Sequence, residues 1–401
     1  MHRSTQPVRS ILSSIPRPGR LGIPLLVCAV ALAVAVGCGG SGSASSMMGG
    51  GGSTGGGGTT SQTVATPTIA TTAAQNSAVI VNLKDATASS TIYYTLDGST
   101  PTTSSPQYVA PFLVDSNVTL NVMATASGDT NSTVATQTFS PNIPSGTLVW
   151  SDEFSNSGSA NAQPNPSTWT YDTGLNCCGN NEQETYCAWG ATSGGCSTAN
   201  PNAYVGTDGY LHITALNPSS GVYTSARLKT EGLFSFQYGR IEARIKVPES
   251  QGMWPAFWLL GNNITTNPWP ACGEADIMEH IDGATPPING IPASYDWVQA
   301  SVHGTGLNGG TPYHASGFSA ADWHTYGMIW SKGKIEYYID SPSNVYETFT
   351  ASSMAGTWPF DQGPMFILLN LAVGGTWPGD VNSSTVFPGN MLVDYVRIYT
   401  N

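Results

Sequence analysis

Charged residues are scarce in this sequence, and basic residues are scarcer than acidic ones. Charged residues make up 9% of the chain, well below the share of about 25% that is typical of soluble proteins. The chain has 13 Lys and Arg against 25 Asp and Glu, which gives a formal net charge of −12 at pH 7. A protein that binds nucleic acid or a polyanionic polysaccharide needs Lys and Arg to neutralise the anions. The composition therefore argues against both partners and favours a neutral polymer.

The apolar run near the N-terminus is too short to span a bilayer. Residues 23–36 are uncharged and apolar, but a transmembrane helix needs roughly 20 such residues. Four arginines precede the run, as in an export signal, and it ends in VAVGC (residues 34–38), which resembles a bacterial lipoprotein cleavage box. We therefore predict that residues 1–38 are a signal peptide with a lipobox, and that a lipid on Cys38 anchors an exported, cell-envelope protein to the membrane. Ordinary cleavage and an extracellular protein are the alternative.

Helical periodicity is absent as well, which argues against α-helical and α/β folds. Residues 39–63 are rich in Gly, Ser and Thr and are predicted to form a flexible tether. Residues 64–142 contain short β-rich runs between turns, which predict a small Ig-like β-sandwich. Residues 146–401 contain longer strands with alternating apolar and polar positions, and such strands pack as two large sheets. The predicted fold class is therefore all-β, with the Ig-like sandwich preceding a concanavalin-like jelly-roll catalytic domain.

The Ig-like segment carries a motif of its own. The sequence YYTLDGSTP (residues 93–101) resembles the Ig-like module at the C-terminus of chitobiases, which is also appended to many exported bacterial enzymes. Neither a carboxylate pair nor a cluster of exposed aromatic residues stands out in the segment. We expect the module to act as a spacer, and carbohydrate binding is the alternative.

Four of the five cysteines that follow the leader fall close together in a turn-rich segment. In an exported protein such a cluster predicts one or two disulfides. Adjacent cysteines rarely bridge each other, so we expect Cys177 and Cys178 to pair with Cys187 and Cys196. A zinc site is the alternative, although the spacing is irregular and the segment contains no His. The fifth cysteine, Cys272, lies in an apolar run and is predicted to be a buried thiol.

Three carboxylates fall within the sequence EADIME, residues 274–279. Glu274 and Asp276 share one face of a regular strand because side chains alternate, whereas Glu279 would point to the other face. One extra residue, accommodated as a β-bulge near residues 277–278, brings Glu279 to the face of the other two. The sequence therefore predicts a bulged strand with all three carboxylates on one side.

This arrangement suits a retaining glycosidase. With the bulge, the two glutamate Cα atoms lie about 13 Å apart, at about 3.3 Å per residue. Side chains that lean toward each other then reach the spacing of about 5–5.5 Å that retaining enzymes use. We predict Glu274 as the nucleophile and Glu279 as the general acid and then base, with Asp276 hydrogen-bonded to Glu274. Because three crowded carboxylates do not all ionise easily, at least one pKa is expected to rise. A Ca²⁺ site and a polar edge strand are the alternatives.

The motif EADIME resembles the signature of glycoside hydrolase family 16, in the bulged form found in laminarinases (endo-1,3-β-glucanases). The resemblance extends over the whole C-terminal domain, although Ala275 replaces the more usual Ile and the Cys-rich insert after Tyr186 is atypical. It implies a retaining, endo-acting hydrolase of β-1,3-glucan that needs no cofactor for catalysis. Further matching segments are LVWSDEF (148–154), NNEQETY (180–186), YTSAR (223–227), GMWPAFW (252–258) and NLAVGGTWPG (370–379).

The resemblance also implies a sugar-binding set, in which indole faces stack on sugar rings and polar groups donate to hydroxyls. Core packing is the alternative for the tryptophans, above all for Trp258, and for the histidine. The same resemblance implies a structural Ca²⁺ held by Glu153, the Gly209 carbonyl and Asp394. The sugar-binding positions are Asn181, Arg227, Trp254, Trp258, Trp269 and His303.

Several functions remain open at this point. The first is hydrolysis of β-1,3-glucan by a monomer whose partner is the polysaccharide, with no role for nucleic acid. Hydrolysis of mixed-linkage β-glucan or neutral galactan, transglycosylation, and glycan binding by a non-catalytic lectin are the alternatives. The intact carboxylate trio separates the enzymes from the lectin, because binding alone needs no pair of opposed glutamates.

Overall fold

The structure is a computed structural model, and it describes residues 61–282 and 296–401. Every regular element within these residues is a β-strand, which confirms the predicted all-β class. Among the same residues, no helix has the length and apolar character to cross a membrane. The predicted signal peptide, Cys38 and most of the tether lie outside the described residues.

The N-terminal module is a small β-sandwich, as predicted. Its strands form two three-stranded sheets with the orders β1-β2-β4 and β3-β5-β6. Val81 from one sheet and Leu120 from the other are fully buried in a core of their own. The strands are β1 (Thr68–Ala73), β2 (Val79–Lys84), β3 (Thr91–Thr95), β4 (Phe112–Val114), β5 (Val118–Thr125) and β6 (Ala135–Phe139).

The strands that follow build the C-terminal domain. They are β7 (Leu148–Asp152), β8 (Thr170–Asp172), β9 (Gly174–Leu175), β10 (Glu184–Tyr186), β11 (Ala203–Val205), β12 (Leu211–Ser219), β13 (Val222–Ser225), β14 (Arg227–Lys229), β15 (Gly239–Lys246), β16 (Met253–Gly261), β17 (Glu274–Glu279), β18 (Val298–Gly304), β19 (Leu307–Tyr313), β20 (His324–Ser331), β21 (Lys334–Ile339), β22 (Val345–Thr350), β23 (Met365–Val373) and β24 (Gly389–Tyr399).

Two large sheets pack face to face in this domain. The seven-stranded sheet has the order β19-β18-β17-β16-β23-β14-β8, so strand β17 with the EADIME motif lies inside it. The eleven-stranded sheet has the order β22-β21-β20-β15-β24-β12-β13-β10-β9, with β7 beside β24 and β11 beside β12. The two sheets form the predicted jelly-roll sandwich.

Alternation along each strand explains the core between the sheets. On β15, Ile241, Ala243 and Ile245 are fully buried, while Arg240 and Arg244 on the other face stay partly exposed. Apolar residues from both sheets form one continuous hydrophobic cluster. The opposite face of the seven-stranded sheet is therefore free to carry polar groups.

The module is joined to the jelly roll by backbone hydrogen bonds. Leu113 of β4 donates its N–H to the carbonyl of Ser235 at 2.9 Å, and Ser235 donates to Pro111 at 3.0 Å. Gln75 donates to the carbonyl of Val149 at 3.0 Å. Leu113 also packs into the large core of the jelly roll. Consistent with these contacts, Thr59–Asn401 forms a single compact unit.

Candidate active site

Strand β17 contains the predicted bulge. Across β16, Trp258 faces Asp276 and Ala256 faces Glu279, so three residues of β16 oppose four residues of β17. Ile277 has no partner in this register and is the extra residue. Because of it, Glu279 returns to the face of Asp276, while Ile277 itself is buried in the core.

The face that carries the carboxylates forms the floor of a cleft of about 680 Å³. Glu274, Asp276 and Glu279 lie together in this cleft. Strands β16 and β23 supply an apolar layer beside them, in which Leu260 and Leu368 are buried. The carboxylates therefore lie beside apolar side chains at the base of an open cleft.

Two donors fix the side chain of Glu279. The indole N–H of Trp254 donates to Oε1 of Glu279 at 3.1 Å. The hydroxyl of Ser301 lies 3.2 Å from Oε2 of Glu279 and 2.7 Å from Oδ2 of Asp276. A hydroxyl has one proton, so Ser301 donates to one of the two carboxylates at a time.

Asp276 has partners other than the one that the sequence predicts. Besides Ser301, its Oδ2 lies 3.2 Å from Nε2 of His303. The same nitrogen lies 3.8 Å from Oε1 of Glu274. Asp276 therefore connects to Glu274 through His303, rather than by the predicted direct hydrogen bond.

A metal ion is the alternative explanation for this cluster. Potential ligand atoms of Glu274, Asp276 and His303 lie within 4.8 Å of one another. Ca²⁺ takes oxygen ligands, whereas one of these three ligands is an imidazole nitrogen. The donor set therefore does not suit the Ca²⁺ alternative.

Burial raises the pKa of all three carboxyl groups, to about 8 for Glu274 and Glu279 and to about 7 for Asp276. Repulsion from neighbouring carboxylates adds to the effect at both glutamates. His303 opposes it at both glutamates, and in addition Arg227 lowers the pKa of Glu274 and the hydrogen bond from Trp254 lowers that of Glu279. Because Glu274 has a permanent cation among its neighbours, we assign the ionised form to Glu274 and the retained proton to Glu279. The three groups titrate as one coupled unit.

Arg227 and Trp258 form one wall of the cleft. The guanidinium of Arg227 lies over the indole of Trp258, 4.6 Å from the ring centroid, and pairs with Asp172 at 3.1 Å. Trp258 is 8% exposed and donates its indole N–H to Oδ1 of Asn370 at 2.8 Å. Trp258 therefore supports Arg227 and Asn370 more than it offers a free face to a sugar.

Aromatic residues lie on both sides of the carboxylates along β17. Trp269 precedes the strand, lines the cleft and is 56% exposed. Beyond Glu279, Trp254 packs edge to face with Trp377 at 5.3 Å, and Trp377 packs in the same manner with Trp297 at 6.0 Å. Sequence reasoning missed Trp297 and Trp377 as members of this group, although Trp377 lies within the matched segment NLAVGGTWPG.

The predicted residue Asn181 is exposed and lies outside the lining of the cleft. Its neighbours Asn180 and Glu182 line the cleft instead. Glu182 is 5% exposed and accepts a hydrogen bond of 3.3 Å from the amide of Asn180. Its Oε2 atom has no hydrogen-bond partner among the described residues. This pair therefore presents an acceptor toward the cleft that sequence reasoning missed.

The predicted disulfide pairing is wrong. Cys177 bridges its neighbour Cys178, and Cys187 bridges Cys196. Both pairs use their thiols in disulfides, which also removes the zinc alternative. The ring formed by Cys177 and Cys178 is part of the cleft lining. Cys272 is a buried free thiol, as predicted.

Both carboxylates predicted to hold Ca²⁺ are paired with arginines in this structure. Both carboxylate oxygens of Glu153 accept hydrogen bonds from Arg397, at 2.9 and 2.8 Å. Asp394 accepts from Arg244 at 2.8 Å. Gly209 lies in a turn with a φ of 81°. Guanidinium groups pair with both carboxylates in this structure, and the calcium site at these positions stays a prediction.

A jelly roll whose cleft holds two partly buried glutamates, a buried aspartate between them and flanking tryptophans defines a glycoside hydrolase. Comparison with known proteins identifies the family. Residues 192–397 match the model of "Glycosyl hydrolases family 16", and residues 81–139 match the "Fn3 associated" model. The chain therefore belongs to glycoside hydrolase family 16, as the sequence predicts, and carries an additional N-terminal module.

Individual relatives cover the C-terminal domain. The chain is 37% identical to a "Beta-glucanase" of Rhodothermus marinus over 273 residues, which are 65% of this chain and 87% of that protein. It is 32% identical to "Glucan endo-1,3-beta-glucosidase A1" of Niallia circulans, of which it covers 38%, with 65% of this chain matched. The laminarinase catalytic domain of Thermotoga maritima MSB8 is similar in structure, with a TM-score of 0.53 and 34% identity, over 64% of this chain and 99% of that domain.

Proposed function

We propose that this protein is an endo-acting β-glucanase that cleaves β-1,3-linked glucan with retention of configuration. The observation that carries the proposal is the bulged strand β17, which presents Glu274, Asp276 and Glu279 on one face of an aromatic cleft. Similarity to a β-glucanase, an endo-1,3-β-glucosidase and a laminarinase supports the 1,3 linkage.

The first chemical step forms a covalent intermediate. A carboxylate oxygen of Glu274 attacks the anomeric carbon, and the bond between that carbon and the glycosidic oxygen breaks. Glu279 transfers its proton to the departing oxygen, so the released sugar leaves as an alcohol. The products of this step are a glycosyl ester on Glu274 and an ionised Glu279. The indole N–H of Trp254, 3.1 Å from Oε1, stabilises the charge that develops on Glu279.

The second step returns the enzyme to its starting state. Glu279 removes a proton from water, the resulting oxygen attacks the anomeric carbon, and the ester bond to Glu274 breaks. His303, 3.8 Å from Oε1 of Glu274, lies close to the carboxylate that is released. Family 16 hydrolysis needs no catalytic cofactor, and this chain's own residues supply every group in both steps.

The flanking tryptophans support internal rather than terminal cleavage. Trp269 lies before the start of β17, and Trp254 lies beside Glu279 at the other end of the strand; both line the cleft and can contact a glycan on either side of the cleaved bond. The small number of basic residues fits a neutral glycan as the substrate.

We also propose that the protein is exported and anchored, and that it acts as a monomer. The arginines before residues 23–36 and the VAVGC sequence support a lipid on Cys38. The two disulfides support an oxidising compartment. Metabolic labelling with a fatty acid tests the anchor, since wild type should take up label and Cys38→Ser should not. An unlabelled wild type contradicts the anchor.

The activity is tested by analysing the products from laminarin, lichenan and agarose side by side, and by following the anomer first released with NMR. Laminarin is expected to yield β-configured oligosaccharides, and Glu274→Ser should abolish hydrolysis. Glu336→Gln, which changes a carboxylate paired with Lys334 on β21 of the opposite sheet, should keep wild-type activity. Oligosaccharides from agarose alone would point to a galactan hydrolase, and binding without cleavage would point to a lectin.

A further inference from the structure

A second groove lies between the Ig-like module and the jelly roll. Its volume is about 550 Å³. The module contributes residues 104–107, and the jelly roll contributes parts of residues 261–272 and 359–365. The groove is lined by both domains, so it exists only because the module is present.

The groove and the catalytic cleft share a wall. The loop between β16 and β17 has Ile264 and Trp269 on the side of the cleft, and Asn263, Thr266 and Asn267 on the side of the groove. Two backbone hydrogen bonds close the base of this loop, from Gly261 to Gly273 and from Asn262 to Pro364, both at 3.0 Å. A glycan that leaves the cleft beside Trp269 therefore meets the groove after crossing one loop.

The lining of the groove has the chemistry of a site for a neutral, hydroxyl-rich ligand. Among the lining residues, which all lie in the described part of the chain, Asp361 is the one charged side chain. Its Oδ1 accepts hydrogen bonds from Tyr238 at 3.2 Å and Gly333 at 3.0 Å. The other polar lining groups are amides and hydroxyls, and Pro106 and Pro359 add apolar surface.

One buried polar atom in this lining lacks a partner. Asn262 is 8% exposed, and its Oδ1 has no hydrogen-bond partner among the described residues. The atom is also shielded from solvent in the empty groove. The case for a ligand therefore rests on the accessible amides and hydroxyls of the lining.

The module holds its side of the groove in a fixed position. The hydrogen bonds of Leu113 and Ser235 join β4 to the jelly roll, and Tyr94 donates its N–H to the carbonyl of Pro106 at 3.0 Å, which ties residues 104–107 to β3. These hydrogen bonds hold the loop of the module beside the jelly roll before any ligand is bound, and such preorganisation favours binding.

We propose that this interdomain groove is a second glycan-binding site, which holds polymeric substrate beside the catalytic cleft. This inference rests on the proposed function, because the bound polymer is the substrate of that activity. It assigns the Ig-like module a part in substrate binding in addition to its place as a spacer.

The test measures binding of the full-length chain in a Glu274→Ser background, where hydrolysis does not interfere. Affinity electrophoresis through laminarin, lichenan and agarose compares this background with two groove variants. The first variant combines Gln107→Ala with Asn263→Ala and removes polar groups from both walls. The second, Asn267→Trp, fills the groove from an exposed position.

Both groove variants are expected to weaken retention by laminarin by about threefold to tenfold. With Glu274 restored, KM for polymeric laminarin should rise by a similar factor, and kcat on a trisaccharide should not change. Asn131→Ala, which alters an exposed amide of the module away from the groove, should match the parent. A thermal-unfolding curve like that of the parent shows that each variant is folded.

Unchanged retention by all three glycans for both groove variants would overturn the inference, while wild-type hydrolysis of laminarin would leave the proposed function intact. Conversely, weaker retention of the groove variants by a glycan that wild type does not cleave would support the groove and refute the proposed substrate.

Discussion

Trp254 donates its indole N–H to Glu279 across a distance of 3.1 Å. The two residues lie on neighbouring antiparallel strands, and the bulge at Ile277 is what places Glu279 within reach of the indole. The contact favours the ionised form of Glu279 and so opposes the effect of burial on its pKa.

Trp254→Phe should move the alkaline limb of the plot of kcat/KM against pH to higher pH. Without the indole donor, the pKa of Glu279 rises further above its present value of about 8, so the acid keeps its proton to higher pH. The shift should stay below about one pH unit, because one hydrogen bond contributes about 1 kcal/mol. Measurement of kcat/KM against pH checks this. Trp377→Phe, which alters the packing partner of Trp254, should leave the alkaline side in place, and an identical shift in both variants would contradict the assignment.

Glu279→Gln should make the folded protein more stable at alkaline pH. The pKa of Glu279 is about 8 in the folded state against an ordinary value of 4.5, so the folded state binds a proton that the unfolded state has released. Stability therefore falls as pH rises from about 4.5 to about 8. The variant lacks this loss, so its advantage should be absent near pH 4 and reach at least about 1 kcal/mol near pH 8.

Urea unfolding at a series of pH values measures this difference. Glu336→Gln, which changes a carboxylate paired with Lys334 on the opposite sheet, is measured beside it as the matched control. If Glu279→Gln raises the free energy of unfolding equally at pH 4 and pH 8, burial does not raise the pKa of Glu279.

The disulfide between Cys177 and Cys178 should act on substrate binding rather than on stability. Its ring lines the cleft, so the double variant Cys177→Ser/Cys178→Ser removes apolar surface that a sugar can contact. We expect KM for laminarin to rise about twofold to tenfold, with kcat unchanged.

The second disulfide provides the matched comparison. Cys187 and Cys196 are separated by 9 positions and are not part of the cleft lining. Replacing both with Ser should lower stability by about 2–4 kcal/mol and leave KM unchanged at a temperature where the variant is folded. If the two double variants change KM equally, the ring has no specific role in the cleft.

A variant that lacks Ile277 should keep the three acids on one face of β17. Ile277 has no partner on β16, so a strand without it keeps Glu274, Asp276 and Glu279 on one face. Loss of the buried side chain should cost about 2–5 kcal/mol. An added Gly after Ile277 should instead turn Glu279 toward the core. Thermal unfolding and laminarin hydrolysis distinguish the outcomes: complete loss of activity in a folded deletion variant would contradict this account.

The alternation of side chains predicted the central part of the site. Residues that are two positions apart on a strand share one face. This rule alone placed Glu274 and Asp276 together and required a bulge before Glu279. Strand β15 follows the same rule at Ile241, Ala243 and Ile245, whereas Glu242 on its other face is also buried. Such features depend on neighbours in the sequence, which are visible without a structure.

Other parts of the site depend on local backbone geometry or on distant partners. Asn181 lies in a loop with a φ of 56°, and its neighbours Asn180 and Glu182 line the cleft instead. Glu153 and Arg397 are 244 positions apart, so their ion pair was invisible to an argument from the sequence around Glu153. The bridge between Cys177 and Cys178 is an exception to the rule that adjacent cysteines rarely pair. Nothing in the neighbouring sequence signals this exception.

The unpaired residue in β17 also bears on how sites of this kind diversify. A strand that lacks Ile277 is straight and keeps all three acids facing the sugar. A strand that contains this residue keeps them there as well, because the residue forms a bulge. The chemistry of the three acids is therefore compatible with either length of strand between Glu274 and Glu279.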